Sequence, residues 1–378
     1  KQGARKLPSA ANGLIALIFL VSCHSGMDSR IGRSEPPVIQ DDLDRGSFRQ
    51  AAQRSMDYFA KIPGDRVIAE RPRRMTAREA KESLASLLEL AGLWGEPEKL
   101  AQAIHARFDL VPSAVDRAAR DILVTGYYRP VVDGRLAATG AYRFPIYRKP
   151  DDLVAAQGGK PAPYFSRREI DALGRLGGKG YEIAWVKDPV ELFFLHIQGS
   201  GVIRLEDGRT LPLNFAAANG RPYTSIGKIL IEEGKLRAEE VSAARLRKYL
   251  REHPEERERL FMRNERYVFF RFVENGPLGS LDIPLTPGRS VAADAGHFPA
   301  GALAFLVGRR PVLDGAGDLA GWRQFSRFVL VQDAGAAIRG PRRLDLYFGS
   351  GEEAGGPAGF MNSPGRLYFL LRKRSGAE

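Results

Sequence analysis

The sequence predicts a mainly β protein, a barrel or sandwich of short strands with flanking helices. Short apolar runs broken by Gly and Pro recur from about residue 121 to the C-terminus. Glycine occurs 41 times and proline 24 times, enough punctuation for many tight connections. Helical spacing is confined to two stretches, one before the first strand and one in the middle of the chain. The 378 residues are 44% hydrophobic and 27% charged. That is a globular composition, long enough for two domains of about 100–200 residues.

The elements follow in order. Residues 24–50 are polar, with Gly, Pro and Ser, and read as a tether. Thr76-Ala-Arg-Glu79 has capping-box spacing, and Leu84, Leu87, Leu88 and Ala91 share one face. A helix therefore starts at Thr76, and Gly92 is expected to end it. A second helix fits 98–108. Residues 121–128 read as a strand ending in a turn, and the apolar runs 144–147, 181–186, 191–197 and 202–205 extend a β-rich region. Helical spacing returns over 225–233 and 238–253, where Pro254 interrupts it. Further strands are expected at 267–272, 290–293, 302–307, 327–331, 343–348 and 366–371.

Fifty-seven Lys and Arg against 45 Asp and Glu leave a net charge of +12. Such a surface attracts polyanions, whether nucleic acid, anionic lipid or anionic cell wall. The charges are scattered, which equally suits an evenly charged soluble face. The single cysteine, Cys23, excludes an internal disulfide and a zinc site built from several thiolates. The five histidines are thinly spread, so a catalytic metal cage is not expected. Gly199-Ser-Gly201 is not followed by Gly-Lys-Ser/Thr and lacks Gly-x-Ser-x-Gly spacing, so it is neither a phosphate loop nor a hydrolase elbow.

The N-terminus reads as an address. Lys1, Arg5 and Lys6 precede an apolar run over 14–21, and Ser22 and Cys23 follow. That is the pattern of a secretory signal, too short to cross a bilayer core of ~30 Å as a helix. Leu20-Val-Ser-Cys23 resembles the lipobox of bacterial lipoproteins. The resemblance implies a signal peptide over 1–22, an acylated Cys23 and a tether over 23–50. With His24 rather than Asp after the cysteine, it implies the periplasmic face of the outer membrane. Export argues against a nucleic-acid partner.

Three aspartates stand out. Val291-Ala-Ala-Asp294-Ala-Gly and Leu330-Val-Gln-Asp333-Ala-Gly each end an apolar strand, where Asp before Gly is ordinary turn chemistry. Asp345 is different. In Leu344-Asp-Leu-Tyr-Phe348 the apolar residues alternate, so Asp345 and Tyr347 point to the opposite face. Asp is depleted inside strands, so this one either faces water or lines a pocket. No second carboxylate stands at a fixed spacing from it, and Glu352 and Glu353 follow the turn 349–351 into an expected loop. A glycosidase usually needs two carboxylates. A lone acid needs a substrate that brings its own nucleophile. Thr125-Gly-Tyr-Tyr128 and His196-Ile-Gln-Gly-Ser-Gly201 add hydroxyls, an amide and rings of the kind that suits sugars.

These segments, with Phe144-Pro-Ile-Tyr-Arg148, Asn219-Gly-Arg-Pro-Tyr-Thr-Ser-Ile-Gly-Lys228, Val268-Phe-Phe270, Pro284-Leu-Thr-Pro-Gly-Arg-Ser290 and the stretch from Gln332 to Gly355, carry a family likeness. The chain resembles the membrane-bound lytic murein transglycosylase A (MltA) family over about residues 115–372. Ala336 departs from the family's usual Gly beside the second aspartate. The resemblance implies a double-psi β-barrel, the 3D domain, over 51–127 and 275–378. An inserted second β-barrel-like domain would occupy 128–274, with a groove between the two. It implies Asp345 as the single catalytic acid, with Asp333 and Asp294 in support and no metal or organic cofactor required. Thr125, Tyr127, Gln198 and Ser200 are the expected sugar contacts. The implied partners are peptidoglycan glycan strands, outer-membrane lipid through Cys23, and other cell-wall enzymes. A hydrolase pairing Asp345 with Asp333 or a Glu, and a non-catalytic wall-binding lipoprotein, are the competing readings.

Overall fold

A computed structural model describes residues 37–374 apart from 72, 114–120, 154–162, 238–240, 275, 277 and 336–337. The expected signal peptide, Cys23 and Ala336 lie outside the described residues. The packed chain begins earlier than expected. Asp44 accepts a hydrogen bond from the Ser47 amide and caps α1 (Arg45–Phe59), which buries Phe48, Ala51, Ala52, Ser55 and Phe59 along one face. Ahead of it Asp41 pairs with Arg289 and Asp42 with Arg327. The tether therefore cannot extend to residue 50; its polar composition hid residues that pair with buried arginines.

β1 (Val67–Ala69) and β2 (Met75–Thr76) form a short ribbon that leads into α2 (Ala77–Glu89). The capping box is present: Thr76 Oγ1 accepts from the Glu79 amide at 3.3 Å, and Glu79 accepts from the Thr76 amide at 2.9 Å. Thr76→Ala should lower stability by about 1 kcal/mol, read as a fall in the urea midpoint. Gly92 does not end α2. The helix tightens into a 3₁₀ turn over Leu90–Leu93 first. α3 (Pro97–Arg107) follows, and Phe108, expected to close it, instead opens β3 (Phe108–Pro112).

β4 (Ile122–Arg129) runs past the expected turn, and Pro130 passes the chain into the insert. The insert holds β5 (Val131–Arg135), β6 (Phe144–Tyr147), β7 (Glu182–Val186), α4 (Pro189–Gln198), β8 (Gly201–Arg204), β9 (Thr210–Ala218), α5 (Ile226–Glu232), α6 (Ala243–Glu252), α7 (Pro254–Arg263) and β10 (Val268–Phe272). The run 191–197 is helical, not a strand. Asp188 caps it, Pro189 takes the first turn, and Gly199 closes it at φ 73°. A uniformly apolar run carries no period, so only its caps betray the helix. Pro254 ends α6 but also starts α7, which the sequence reading missed.

The C-terminal part adds β11 (Ser290–Ala293), β12 (Leu303–Leu313), β13 (Leu319–Asp333), β14 (Arg343–Ser350), α8 (Glu352–Phe360) and β15 (Asn362–Arg372). Glu352 and Glu353 are exposed in the first turn of α8, not in a loop. Gly126 admits this helix: a Cβ there would lie 2.8 Å from the Ala358 carbonyl oxygen.

Strands β12-β13-β11-β14-β4-β15 are paired in that order, and β12 pairs with β15, closing a six-stranded barrel; β3 adds to β15 outside the ring. β11–β13 and β14–β4 are parallel pairs. The insert sheet runs β10-β9-β8-β5-β7-β6, and a bridge between Arg148 and Phe270 draws its edges together. The barrel is thus assembled from chain on both sides of the insert, with the first crossing at Pro130 rather than near 127. Phe48, Leu84, Phe305, Phe328, Leu344 and Leu346 belong to the barrel's core with α1 and α2. The insert packs separately, around Phe193, Phe194 and Leu250 and around Ile146, Val186 and Phe270.

Candidate active site

The barrel register places the candidate acids in one row. Asp333 of β13 pairs with Ala292 of β11, Ala292 with Asp345 of β14, and Asp345 with Thr125 of β4. Partners across a ladder share a face, so one face carries Asp333, Ala292, Asp345 and Thr125 in sequence. Asp333 and Asp345 are two strands apart, roughly 10 Å between backbones. Two residues along, Tyr127 and Tyr347 are also partners, with ring centroids 5.2 Å apart. They form a small apolar cluster with Leu285, Ala292 and Ile338.

Asp345 is 0% exposed. Leu344 and Leu346 bury the other face of its strand in the barrel core, so both faces are enclosed. Its Oδ1 accepts hydrogen bonds from the Thr125 hydroxyl and, at 3.1 Å, from Arg343 Nε; Arg343 Nη2 is 3.4 Å from Oδ2. Arg343 Nη2 also donates to the Thr125 hydroxyl at 3.3 Å. Burial pushes the Asp345 carboxyl above its usual value, and the Arg343 charge and the Thr125 hydroxyl pull against it. Thr125 is partly exposed, so the acid lies one side chain below the surface. Arg343 was missed, although its i, i+2 spacing from Asp345 in an alternating strand was the available signal.

Asp333 is buried and fully engaged. Oδ1 accepts from the Ser280 and Ala334 amides at 2.9 Å each, and Oδ2 from the Tyr127 hydroxyl at 2.9 Å. Burial raises its pKa; the nearby Arg129 and these donors oppose that. Tyr127, expected to touch sugar, is 2% exposed with its hydroxyl on Asp333. It positions a carboxylate instead, a role invisible without the β4–β13 proximity. Asp294 accepts from the Gly340 amide at 2.7 Å and the Gly296 amide at 2.9 Å, with His297 Nδ1 at 3.3 Å. Burial acts to raise its pKa, but these donors hold it below the usual value. It pins the β13–β14 connection.

Gln198 and Ser200 are 4% and 1% exposed, at the end of α4. The neighbouring Val202 amide bonds to the Pro130 carbonyl at 2.9 Å. Neither Gln198 nor Ser200 is among the hydrogen-bond partners of Asp345. Cavities of about 190 and 530 Å³ lie elsewhere, between α2 and the end of β15. Arg372, Lys373 and Arg374 line both, and ion pairs such as Arg374–Glu79 occupy that surface. A cavity there is ordinary surface relief, ten residues along β15 from the partner of Thr125. Among the described residues, the one His/carboxylate cluster with metal-ligand spacing is His253, Glu255 and Glu256. Its Glu256 is already held by Lys235, Arg259 and Tyr249.

Comparison with known proteins agrees with this fold. The MltA specific insert domain matches residues 123–271 and the 3D domain residues 289–371, together well over half of the chain. Membrane-bound lytic murein transglycosylase A of Escherichia coli is 37% identical over 255 residues. That stretch is 66% of this chain and 66% of the relative, just under two thirds of its length. The structure of E. coli MltA with bound chitohexaose superposes with a TM-score of 0.73 at 26% identity, covering 99% of this chain and 100% of that one. A membrane-bound lytic murein transglycosylase from Agrobacterium tumefaciens gives 0.68 at 29% identity, covering 87% and 92%. The insert-domain and 3D-domain matches, the 37% identical relative and the superposed structures together place this chain in the MltA family of lytic murein transglycosylases.

Proposed function

We propose that this chain cleaves the MurNAc–GlcNAc β-1,4 bond of peptidoglycan without water, leaving 1,6-anhydro-MurNAc ends. The observation that carries the reading is the enclosed Asp345, raised by burial and bonded to Thr125 and Arg343 rather than to a second carboxylate. The reading requires this carboxyl to start protonated, a state that burial favours and that Arg343 and Thr125 oppose, and to donate to the bridging oxygen. Positive charge then builds on the MurNAc ring. The C6 hydroxyl of the same sugar attacks the anomeric carbon, and ionised Asp345 takes its proton. Intramolecular attack supplies effective molarity in place of a protein nucleophile.

The two-carboxylate hydrolase fits less well. Asp333 already accepts three hydrogen bonds from the protein, which suits an anchor better than a base that must capture water. Thr125 is the partly exposed expected contact beside the acid; Gln198 and Ser200, like Tyr127, are buried. The bound chitohexaose in the E. coli relative supports a glycan ligand. Acylation of Cys23 and placement at the periplasmic face of the outer membrane complete the reading, in line with relatives named membrane-bound.

Incubation with purified sacculi tests it. The enzyme should release soluble muropeptides, whereas a wall-binding lipoprotein would release none. The pH profile tests the tuning of the acid. Asp345 must be protonated to donate, so activity falls as pH rises through its pKa. Arg343→Gln removes the charge that opposes burial, so the alkaline limb of the pH–rate curve should move to higher pH. An unmoved or acid-shifted limb would contradict the assignment.

A further inference from the structure

The chain crosses between barrel and insert twice, at Arg129–Pro130 and on the return near Leu278, and one side chain touches both crossings. Arg129 ends β4 and is 0% exposed. Its Nη1 donates to Asn214 Oδ1 of β9, in the insert, at 3.0 Å, and its Nη2 to the Leu278 carbonyl at 2.7 Å. Asn214 Nδ2 donates to the same carbonyl at 3.0 Å. Two residues on, the Ser280 amide donates to Asp333 Oδ1 at 2.9 Å. Between them Gly279 lies against the strand that carries Asp333: a Cβ there would sit 2.4 Å from the Gln332 carbonyl oxygen. The other edge of Arg129 belongs to the acid's strand. Arg129 pairs with Ser350 of β14, and the Gly351 amide donates to its carbonyl at 2.8 Å.

We infer that Arg129 is a positioning residue that locks the insert to the aspartate face through the strap Leu278–Ser280. Hydrogen bonds from Asn214 and Arg129 to the Leu278 carbonyl, the backbone from Leu278 to Ser280, and hydrogen bonds from the Ser280 amide and the Tyr127 hydroxyl to Asp333 form one path from the insert's sheet to the row containing Asp345. Buried guanidinium donors need acceptors, and the rigid fork of Arg129 places two of them so that it bridges β9 of the insert and the return linker. If the two domains form the walls of a glycan groove, as the family resemblance implies, this path sets where the insert's wall stands relative to the acid; the inference rests on that reading. Thr125 and Asp345 are not in it, so the acid's own hydrogen bonds survive its loss.

The test is Arg129→Gln, with Asn214→Ala as a second variant that breaks the insert end and keeps the arginine. Both are measured as full chains for glycan-strand cleavage and for amide hydrogen exchange. Misplacement of the groove wall should lower kcat by roughly 10–100-fold in Arg129→Gln, with a smaller loss of the same kind in Asn214→Ala. The Ser280 amide should exchange faster in both. The alkaline limb of the pH profile, which reports Asp345, should stay where it is. Arg129→Lys, which cannot bridge two acceptors in one plane, should not restore kcat. Unchanged Ser280 exchange, a kcat loss no larger than the loss of folded protein, or full rescue by lysine would each overturn the inference. Should the wild-type chain release nothing from sacculi, the proposed activity fails, while the exchange data still decide the lock.

Discussion

Asp345→Asn should reduce release of soluble fragments from sacculi by about 10²–10⁴-fold, the range that a positioned general acid–base supplies, while the protein stays folded. Asparagine keeps the shape of the side chain and can still accept from Thr125 and Arg343, the two recorded partners of the carboxylate. It cannot give up a proton. Stability should hold for a separate reason. The folded-state pKa of Asp345 is raised by burial, so the folded chain binds this proton more tightly than the unfolded chain. Its ionisation therefore costs stability as pH rises from the ordinary carboxylate range through the folded pKa. Asparagine removes that penalty, so the urea midpoint at neutral pH should be unchanged or higher. Near-normal release by a folded Asp345→Asn protein would remove this residue from the mechanism.

The largest effect on stability should come from Asp41→Ala. Asp41 and Arg289 form an ion pair with side chains 1% and 0% exposed. Asp41 also accepts from the Phe328 amide at 2.8 Å and the Leu43 amide at 2.8 Å. Arg289 donates further to the Phe328 and Asp44 carbonyls and to the Ser47 hydroxyl. Alanine would leave a guanidinium buried without its counter-charge, a loss of about 3–5 kcal/mol, and would free the segment leading into α1. In a domain of this size that corresponds to a Tm lower by about 10 °C or more. Activity per folded molecule should hardly change, since none of these groups touches the aspartate row. A Tm shift within about 2 °C would show that the segment 37–44 is not fastened as described.

Elements whose pattern is local were legible in the sequence. Thr76 and Glu79 announced a helix start, and residues 144–147 and 290–293 are strands as read. Elements defined by what they pack against were not. The run 191–197 has no period of its own, α8 carries Pro357 and three consecutive small residues, and α1 lies in a stretch whose composition suggests a tether. The site divides in the same way. Asp345 stands out because a carboxylate interrupts an alternating strand, and Arg343 shares its face by simple spacing. That Tyr127 serves Asp333 depends on a hydrogen bond between residues 206 apart, on strands that are not neighbours in the sheet, and Arg129's hold on Leu278 spans 149 residues. No local rule reaches that far. Family likeness supplied the two-domain plan, but not the row: only the register shows Asp333, Ala292, Asp345 and Thr125 side by side.

The central claim is that one aspartate severs the glycan by passing a proton to the leaving oxygen and taking one back from the same sugar. The direct measurement is digestion of sacculi in water enriched in a heavy oxygen isotope, followed by mass spectrometry of the released muropeptides. The account predicts products one water lighter than hydrolysis would give, free of the heavy isotope at the new sugar end. Heavy oxygen at that end would contradict it.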